Sequence, residues 1–126
     1  MTSIGQRATQ ALVREMPESE RPISEQFRIV AKKWVDADAA ANLLEDTKSS
    51  VLSQLIMKQI GVPVTRAEHV ARASQDYLDH IAAMVEARKQ ANLLKVQMEF
   101  LKMRFHEWNS SDANQRAEKK FTRQAT

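Results

Sequence analysis

The sequence predicts an all-α protein: an antiparallel helical hairpin of two long helices, over residues 24–60 and 65–108, that forms an oligomeric coiled coil or bundle. Three observations lead to this prediction. An apolar heptad repeat runs along each helical segment. The short connection between the segments contains a glycine and a proline, which end helices. Two glycines and three prolines in 126 residues are also too few for a loop-rich or β-rich chain.

The second helical segment carries the clearer repeat. When residues 65–108 are written in sevens, eleven of the twelve core positions are apolar or aromatic, and His80 is the exception. These positions are Val70, Ala73, Tyr77, His80, Met84, Ala87, Ala91, Leu94, Met98, Leu101, Phe105 and Trp108. The repeat is typical of a helix that packs along a coiled-coil seam. Because neither Gly nor Pro interrupts it, we expect one continuous helix.

The first helical segment has its own heptad series from Phe27 to Leu55, with Lys48 as its exception. Ser24 is the expected N-cap, because a serine hydroxyl can accept a hydrogen bond from an amide of the first turn. Glu25 follows in the first turn, where a carboxylate interacts favourably with the helix dipole.

The connection between the helices has clear stop and start signals. The first helix is expected to end at Ile60, since Gly61 can adopt the left-handed conformation and Pro63 cannot continue a helix. Thr65 and Glu68 have the spacing of a capping box, which predicts the start of the second helix. A connection of four residues favours antiparallel neighbours.

The two ends of the chain differ from this pattern. Residues 1–22 are polar and rich in stop signals, and we expect a flexible N-terminal arm. Asn109 is expected to end the long helix, and Ser111 or Asp112 could cap a short final one. Residues 109–126 are therefore expected to be a basic C-terminal tail or a short helix.

Residue types that hold metals and cofactors are scarce. The absence of cysteine excludes disulfides, thiol nucleophiles and cysteine zinc sites. His69, His80 and His106 lack metal-ligand spacing, and His80 is expected to be a hydrogen-bonded core histidine. Two glycines cannot build a phosphate-binding loop. We therefore expect a non-enzymatic protein with no catalytic residue, no metal and no cofactor.

Apolar stretches in the sequence are short. None resembles a secretory signal peptide, and none approaches the roughly 20 apolar residues of a membrane span. We therefore expect a cytoplasmic protein with no membrane partner.

A second apolar stripe lies on the long helix, outside its heptad seam. Its residues are spaced three and four apart, and the first helix has ended before the last seam residues are reached. Monomers rarely keep such a patch in water, so we expect a homo-oligomer of undetermined subunit number. The expected interface residues are Leu93, Val96, Phe100, Met103, Phe105 and Trp108.

Positive charge is concentrated at one end of the chain. Residues 88–126 carry nine basic and four acidic side chains, a net charge of +5. A basic row along a helix can follow a phosphate backbone, and nearby aromatic rings can stack on single-stranded bases. The other interpretation, a solvated charged flank of the coiled coil, stays open. The candidate nucleic-acid-binding residues are Arg88, Lys89, Lys95, Lys102, Arg104, Arg116, Lys119, Lys120 and Arg123.

Several short segments resemble phage proteins. Glu86-Ala87-Arg88-Lys89, Leu94-Lys95 and Lys33-Trp34-Val35 resemble the UvsY-like recombination mediators of tailed phages. Phe105-x-x-Trp108 and Arg116-Ala117-Glu118 are similar to segments of small helical phage proteins. The likeness covers about a third of the chain. It implies a small helical oligomer in the host cytoplasm that binds single-stranded DNA and helps load a recombinase.

Two functions follow from these observations. The leading hypothesis is a non-enzymatic, homo-oligomeric helical protein that binds nucleic acid, with single-stranded DNA as the expected partner. The alternative is a coiled-coil adaptor, structural protein or host inhibitor of a phage that binds another protein. The apolar stripe distinguishes them, since it would be covered by copies of this chain in one case and by a foreign chain in the other.

Overall fold

A computed structural model describes residues 15–17 and 20–125, with side chains through Arg123. Three helices lie wholly within these ranges: α1 (Ile23–Met57, 35 residues), α2 (Val64–Ala73, 10 residues) and α3 (Gln75–Ala125, 51 residues). No strand occurs within these described ranges. The predicted all-α class is confirmed, and the second of the two predicted long helices is divided into α2 and α3. Most of the arm predicted over residues 1–22 lies outside the described residues.

Helix α1 begins one residue before the predicted cap. The carbonyl of Pro22 accepts hydrogen bonds from the amides of Glu25 and Gln26, both at 3.0 Å. Ser24 therefore lies inside the first turn, and its predicted role as N-cap is wrong. The predicted acidic residue of the first turn, Glu25, is confirmed.

Helix α1 ends at Met57, three residues before the predicted Ile60. The backbone then forms a tighter turn of the 3₁₀ type, because the amide of Gln59 donates to the carbonyl of Ile56, three residues earlier, at 3.0 Å. Gly61 has φ +76°, which confirms the predicted left-handed conformation. The connection is thus longer than the sequence suggested.

Replacing Gly61 with alanine is expected to lower the free energy of unfolding by about 1–2 kcal/mol, the cost of a side chain in the left-handed region. A Cβ built on Gly61 meets no atom within 4 Å, so this cost is conformational and not steric. Urea unfolding followed by circular dichroism measures it. The matched variant Gly61→Asn should lose less, since asparagine tolerates this conformation better. An equal loss in both variants would contradict the explanation.

Helix α2 starts without the predicted capping box. Its N-cap is Pro63, and no side chain caps the helix. The carbonyl of Pro63 accepts the amide of Ala67 at 2.9 Å, which places Thr65 within the first turn. The capping box of Thr65 and Glu68 is therefore wrong, since a cap residue must precede the first turn.

A single serine divides the long helix that the heptad repeat predicted. Ser74 has ψ 148°, an extended conformation, and separates α2 from α3. Its hydroxyl donates to the carbonyl of Ala71 at 2.6 Å and lies 3.3 Å from the amide of Tyr77, whose N–H it accepts. One side chain thus satisfies backbone groups on both sides of the break.

Residues 32–95 form one compact unit with an apolar core. Leu55 of α1, Ala71 of α2 and Tyr77 of α3 are buried together. Partly buried side chains surround them: Val51, Leu52, Ile56 and Ile81. This cluster packs all three helices against one another where the chain reverses.

Contacts between α1 and α3 within this unit follow an antiparallel order. The carbonyl of Leu44 accepts a hydrogen bond from His80. Asp38, nearly two turns earlier on α1, forms an ion pair with Arg88, about two turns after His80 on α3. Ala41 and Ala91 have no exposed surface. Small side chains at such positions allow two helix backbones to approach closely.

The second compact unit contains the beginning of α1, up to residue 31, and α3 from residue 96 onward. Val30 and Leu101 are its buried apolar residues among those that the structure describes. From Lys102 to Arg123 every side chain is exposed except that of Asp112, which is half-buried.

Helix α3 does not end at Asn109 as predicted but continues to Ala125. The serines and asparagines of this region cost only tenths of a kcal/mol each in a helix. Asp112 and Arg116 form an ion pair one turn apart, which stabilises the helical conformation. The separate short helix proposed after Ser111 is therefore wrong. In the part of the chain described, no helix has the length and apolar character needed to cross a membrane.

Candidate nucleic-acid interface

The distal part of α3, residues 102–123, carries an excess of exposed positive charge. Six basic and three acidic side chains give it a net charge of +3. The basic residues are Lys102, Arg104, Arg116, Lys119, Lys120 and Arg123, and all six are exposed. Arg116 pairs with Asp112, whereas Lys119 and Lys120 form no ion pair with any described residue.

The heptad seam explains why this part of α3 stays uncovered. After Trp108 the next seam positions are Asp112, Gln115, Lys119 and Thr122, all of which are polar. A coiled-coil partner needs apolar residues at these positions. The helix therefore changes from a packing element to a solvated, basic rod at Trp108.

Aromatic rings lie among these charges. Trp108 and Phe121 are 59% and 73% exposed, far more than a packed aromatic side chain would be. The guanidinium carbon of Arg104 lies 6.0 Å from the centre of the Phe100 ring, at the outer limit of a cation–π contact. Exposed rings beside basic side chains are the combination that single-stranded nucleic acids bind.

Two other predicted lysines, Lys89 and Lys95, belong to the unit of residues 32–95. Both are exposed on α3 and form no ion pair with any described residue. Their placement is compatible with the prediction that they bind phosphate.

Arg88 has a different environment from the other predicted residues. Its Nη1 donates to Asp38 Oδ1 at 2.8 Å, and its Nε donates to Glu45 Oε1 at 2.8 Å. Its Nη2 donates to Asn42 Oδ1 at 2.6 Å and to Glu45 Oε2 at 3.0 Å. Four of the five N–H groups of a guanidinium are thereby used within the chain. Arg88 is held as a link between α1 and α3, which leaves little capacity for a phosphate.

The Arg88 cluster shifts the pKa of its members. The hydrogen bond from Arg88 holds the pKa of the Glu45 carboxyl below its usual value of 4.5. The hydrogen bonds and charges of Glu45 and Asp38 raise the pKa of Arg88, so its charge is constant at any ordinary pH.

Stability should therefore fall in acid because of Glu45. A carboxyl whose pKa is lowered on folding stabilises the protein fully above its unfolded pKa, and this contribution is lost as the pH falls through the lowered value. Urea midpoints at about pH 7 and about pH 3 should differ less in the Glu45→Gln variant than in the parent protein. The matched variant Glu86→Gln, on an exposed face of α3, should keep the parent difference. If Glu45→Gln also keeps the parent difference in urea midpoint, the Glu45–Arg88 ion pair does not contribute to the pH dependence of stability.

His80 lies at the interface of α1 and α3, as the heptad position predicted. Its Nε2 is 2.9 Å from the carbonyl oxygen of Leu44, so this nitrogen carries the proton and donates it. The predicted hydrogen bond is confirmed, and the side chain is half-buried. Within the described ranges, no group of three or more His, Asp or Glu side chains has a metal-binding arrangement.

The second apolar stripe is exposed along its whole length. Val96, Phe100 and Met103 of the second unit are 56–61% exposed, and Leu93 of the first unit is 53% exposed. The spacing of three and four residues repeats the pattern of a coiled-coil seam. Phe105 is 42% exposed and lies nearer to the seam with α1. Val96, Phe100 and Met103 form an apolar surface of the kind that monomers rarely keep.

An apolar pocket that the sequence did not predict lies in the second unit. It has a volume of about 300 Å³. Its lining consists of Ile23, Ser24 and Phe27 from α1 and Leu101, Lys102 and Phe105 from α3. Nothing in the sequence marks the α1 residues as part of a pocket, because Phe27 is an ordinary seam position and Ser24 is an N-cap candidate.

Comparisons with protein-family models, with curated proteins and with solved structures found no match to this chain. Its function is therefore inferred from the chemistry of its own residues.

Proposed function

We propose that this chain is a non-enzymatic, homo-oligomeric helical protein that binds single-stranded DNA through the distal part of α3. The observation that carries the proposal is the exposed segment of residues 102–123, with its net charge of +3 and its uncovered aromatic rings. The phosphate backbone supplies most of the affinity in such complexes.

Polar seam positions after Trp108 support this assignment. A segment that packed against a protein helix would need apolar residues there, whereas Lys119 at one of these positions is suited to phosphate. Lys120 lies beside it and is equally exposed. Arg88 is left out of the proposed phosphate ligands because its hydrogen bonds are already formed within the chain.

The aromatic residues favour single strands over duplexes. Bases stack on exposed rings only when they are unpaired, and stacking is tolerant of sequence because every base has a flat face. Trp108 and Phe121 are the rings that we assign to this contact. We expect weak sequence preference for that reason.

Self-association is the second part of the proposal. Copies of the chain would pack into a coiled coil or bundle through the stripe of Val96, Phe100 and Met103. Burial of an apolar side chain contributes about 1.5–3 kcal/mol. Several copies would also multiply the basic segments available to one DNA strand.

The resemblance to UvsY-like mediators adds a role to this proposal. A basic oligomer that holds single-stranded DNA would present the strand to a recombinase, which would be its protein partner. The location that goes with this role is the cytoplasm.

Electrophoretic mobility shift with a single-stranded oligonucleotide and its duplex tests the proposal. We expect the single strand to shift at lower protein concentration than the duplex. The variant with Lys102→Glu and Lys119→Glu should weaken the shift while its circular dichroism is unchanged. A normal shift with that variant, or no shift with the parent protein, would contradict the proposal.

A protein-binding adaptor is the second candidate function. The exposed stripe favours it, since a foreign helix could cover the same residues. Light scattering separates the two cases: self-association predicts an oligomer of defined mass, whereas the adaptor predicts a monomer or an aggregate until its partner is added.

A further inference from the structure

The pocket formed by α1 and α3 in the second unit is not used by the function proposed so far. Phe27 and Phe105 contribute aromatic rings to its lining, and Ile23 and Leu101 contribute aliphatic side chains. A volume of about 300 Å³ is at the lower end for small-ligand pockets, so it suits a single ring system better than a large cofactor.

The lining of the pocket has only two polar side chains. Ser24 brings a hydroxyl and Lys102 an ammonium group, and no acidic side chain is part of the lining. Lys102 lies one turn before His106 and two residues before Arg104, at the start of the basic segment. A ligand that matches this lining has a flat, largely apolar part and an anionic group attached to it.

We propose that the pocket holds one unstacked base of the bound strand, with the ammonium group of Lys102 on the adjacent phosphate. This inference rests on the proposed function and makes it more specific. Phe27 becomes a base-contacting residue although it lies on α1, outside the basic segment of α3. Contact with an aromatic side chain contributes about 1–3 kcal/mol per base, which is about 5- to 150-fold in affinity.

The test compares a fluorescently labelled oligothymidylate with an abasic strand of the same length, by anisotropy titration of the full chain. The protein should bind the oligothymidylate at least about tenfold more tightly than the abasic strand, because Trp108 and Phe121 also lose their bases in the abasic strand. Phe27→Leu should weaken binding of the oligothymidylate about tenfold and leave binding of the abasic strand unchanged. The dependence of affinity on salt should stay the same, since no phosphate contact is removed.

Trp34→Leu is the matched control, because it replaces another half-buried aromatic side chain of α1 with leucine, outside the pocket. It should bind both strands as the parent protein does. Circular dichroism and light scattering of both variants should show unchanged helicity and mass.

Each other outcome would overturn the inference. Equal affinity of the parent protein for both strands, or unchanged binding by Phe27→Leu, would remove the base site but leave phosphate binding in place. A lower mass of Phe27→Leu would assign the pocket to a contact between copies of the chain. If neither strand binds, the proposed function fails together with the base site.

Discussion

The double variant Lys119→Glu, Lys120→Glu is expected to bind single-stranded DNA at least about tenfold more weakly than the parent protein at about 0.1 M salt. Both side chains are exposed on α3 and have no ion-pair partner among the described residues, so each can neutralise a phosphate. Their loss removes the release of counterions, and the new carboxylates repel the strand. Anisotropy titration with a labelled oligonucleotide measures the change.

Lys48→Glu with Lys58→Glu is the matched control for this variant. Both lysines are exposed, lie in the unit of residues 32–95 and give the same change in net charge. We expect the control to bind nearly as well as the parent protein. If the two double variants lose affinity equally, overall charge is the cause, and the distal part of α3 is not the binding surface.

Phe100→Glu with Met103→Glu is expected to convert the oligomer into a monomer that keeps its helices. Both side chains are more than half exposed in the protomer, so carboxylates cost little there. In the assembly each protomer would lose about 1.5–3 kcal/mol per apolar side chain and would bury charges as well. The association constant should therefore fall by at least about a hundredfold. Light scattering over a range of concentrations gives the mass.

Gln97→Glu with Asn109→Glu serves as the control for this prediction. Both positions are exposed polar residues of α3, and the charge changes by the same amount. The mass of the control should equal that of the parent protein. A parent protein that is monomeric at micromolar concentration would contradict self-association directly.

The helical class could be predicted because it depends on local and repetitive features. The heptad pattern identifies the seam residues of α3 from Tyr77 to Leu101, and Gly61 marks the chain reversal through its left-handed conformation. The predicted seam positions of α2 are wrong, since Val70 and Ala73 are exposed and Ala67 and Ala71 are buried in their place. The break at Ser74 could not be read from the pattern, because a hydroxyl that caps two helices does not interrupt apolar periodicity. The helix starts were displaced for a related reason, since the carbonyls of Pro22 and Pro63 accept the first hydrogen bonds.

Only those candidate residues whose role depends on exposure alone could be predicted from the sequence. Lys119 and Lys120 follow from the polar seam after Trp108, which is visible in the sequence. The role of Arg88 could not be derived from its own helix, because its partners lie on α1. Pairing the positions of α1 and α3 across the chain reversal places Arg88 opposite acidic residues of α1. That comparison could have identified its role.

The pocket could not be predicted from the sequence, because it forms only where Phe27, near the start of α1, comes close to Phe105, a distant seam residue of α3. Phe27 and Phe105 each look like core residues when they are considered separately. They suggest a ligand-binding site only because both rings line one cavity, together with Lys102.

Salt dependence of oligonucleotide binding tests the central claim most directly. Up to six exposed cations on the distal part of α3 could contact phosphates, and each contact contributes about −0.7 to the slope of log K against log salt concentration for a single strand. We predict a slope between about −2 and −4 for the parent protein. A slope near zero, or no binding at low salt, would contradict the account.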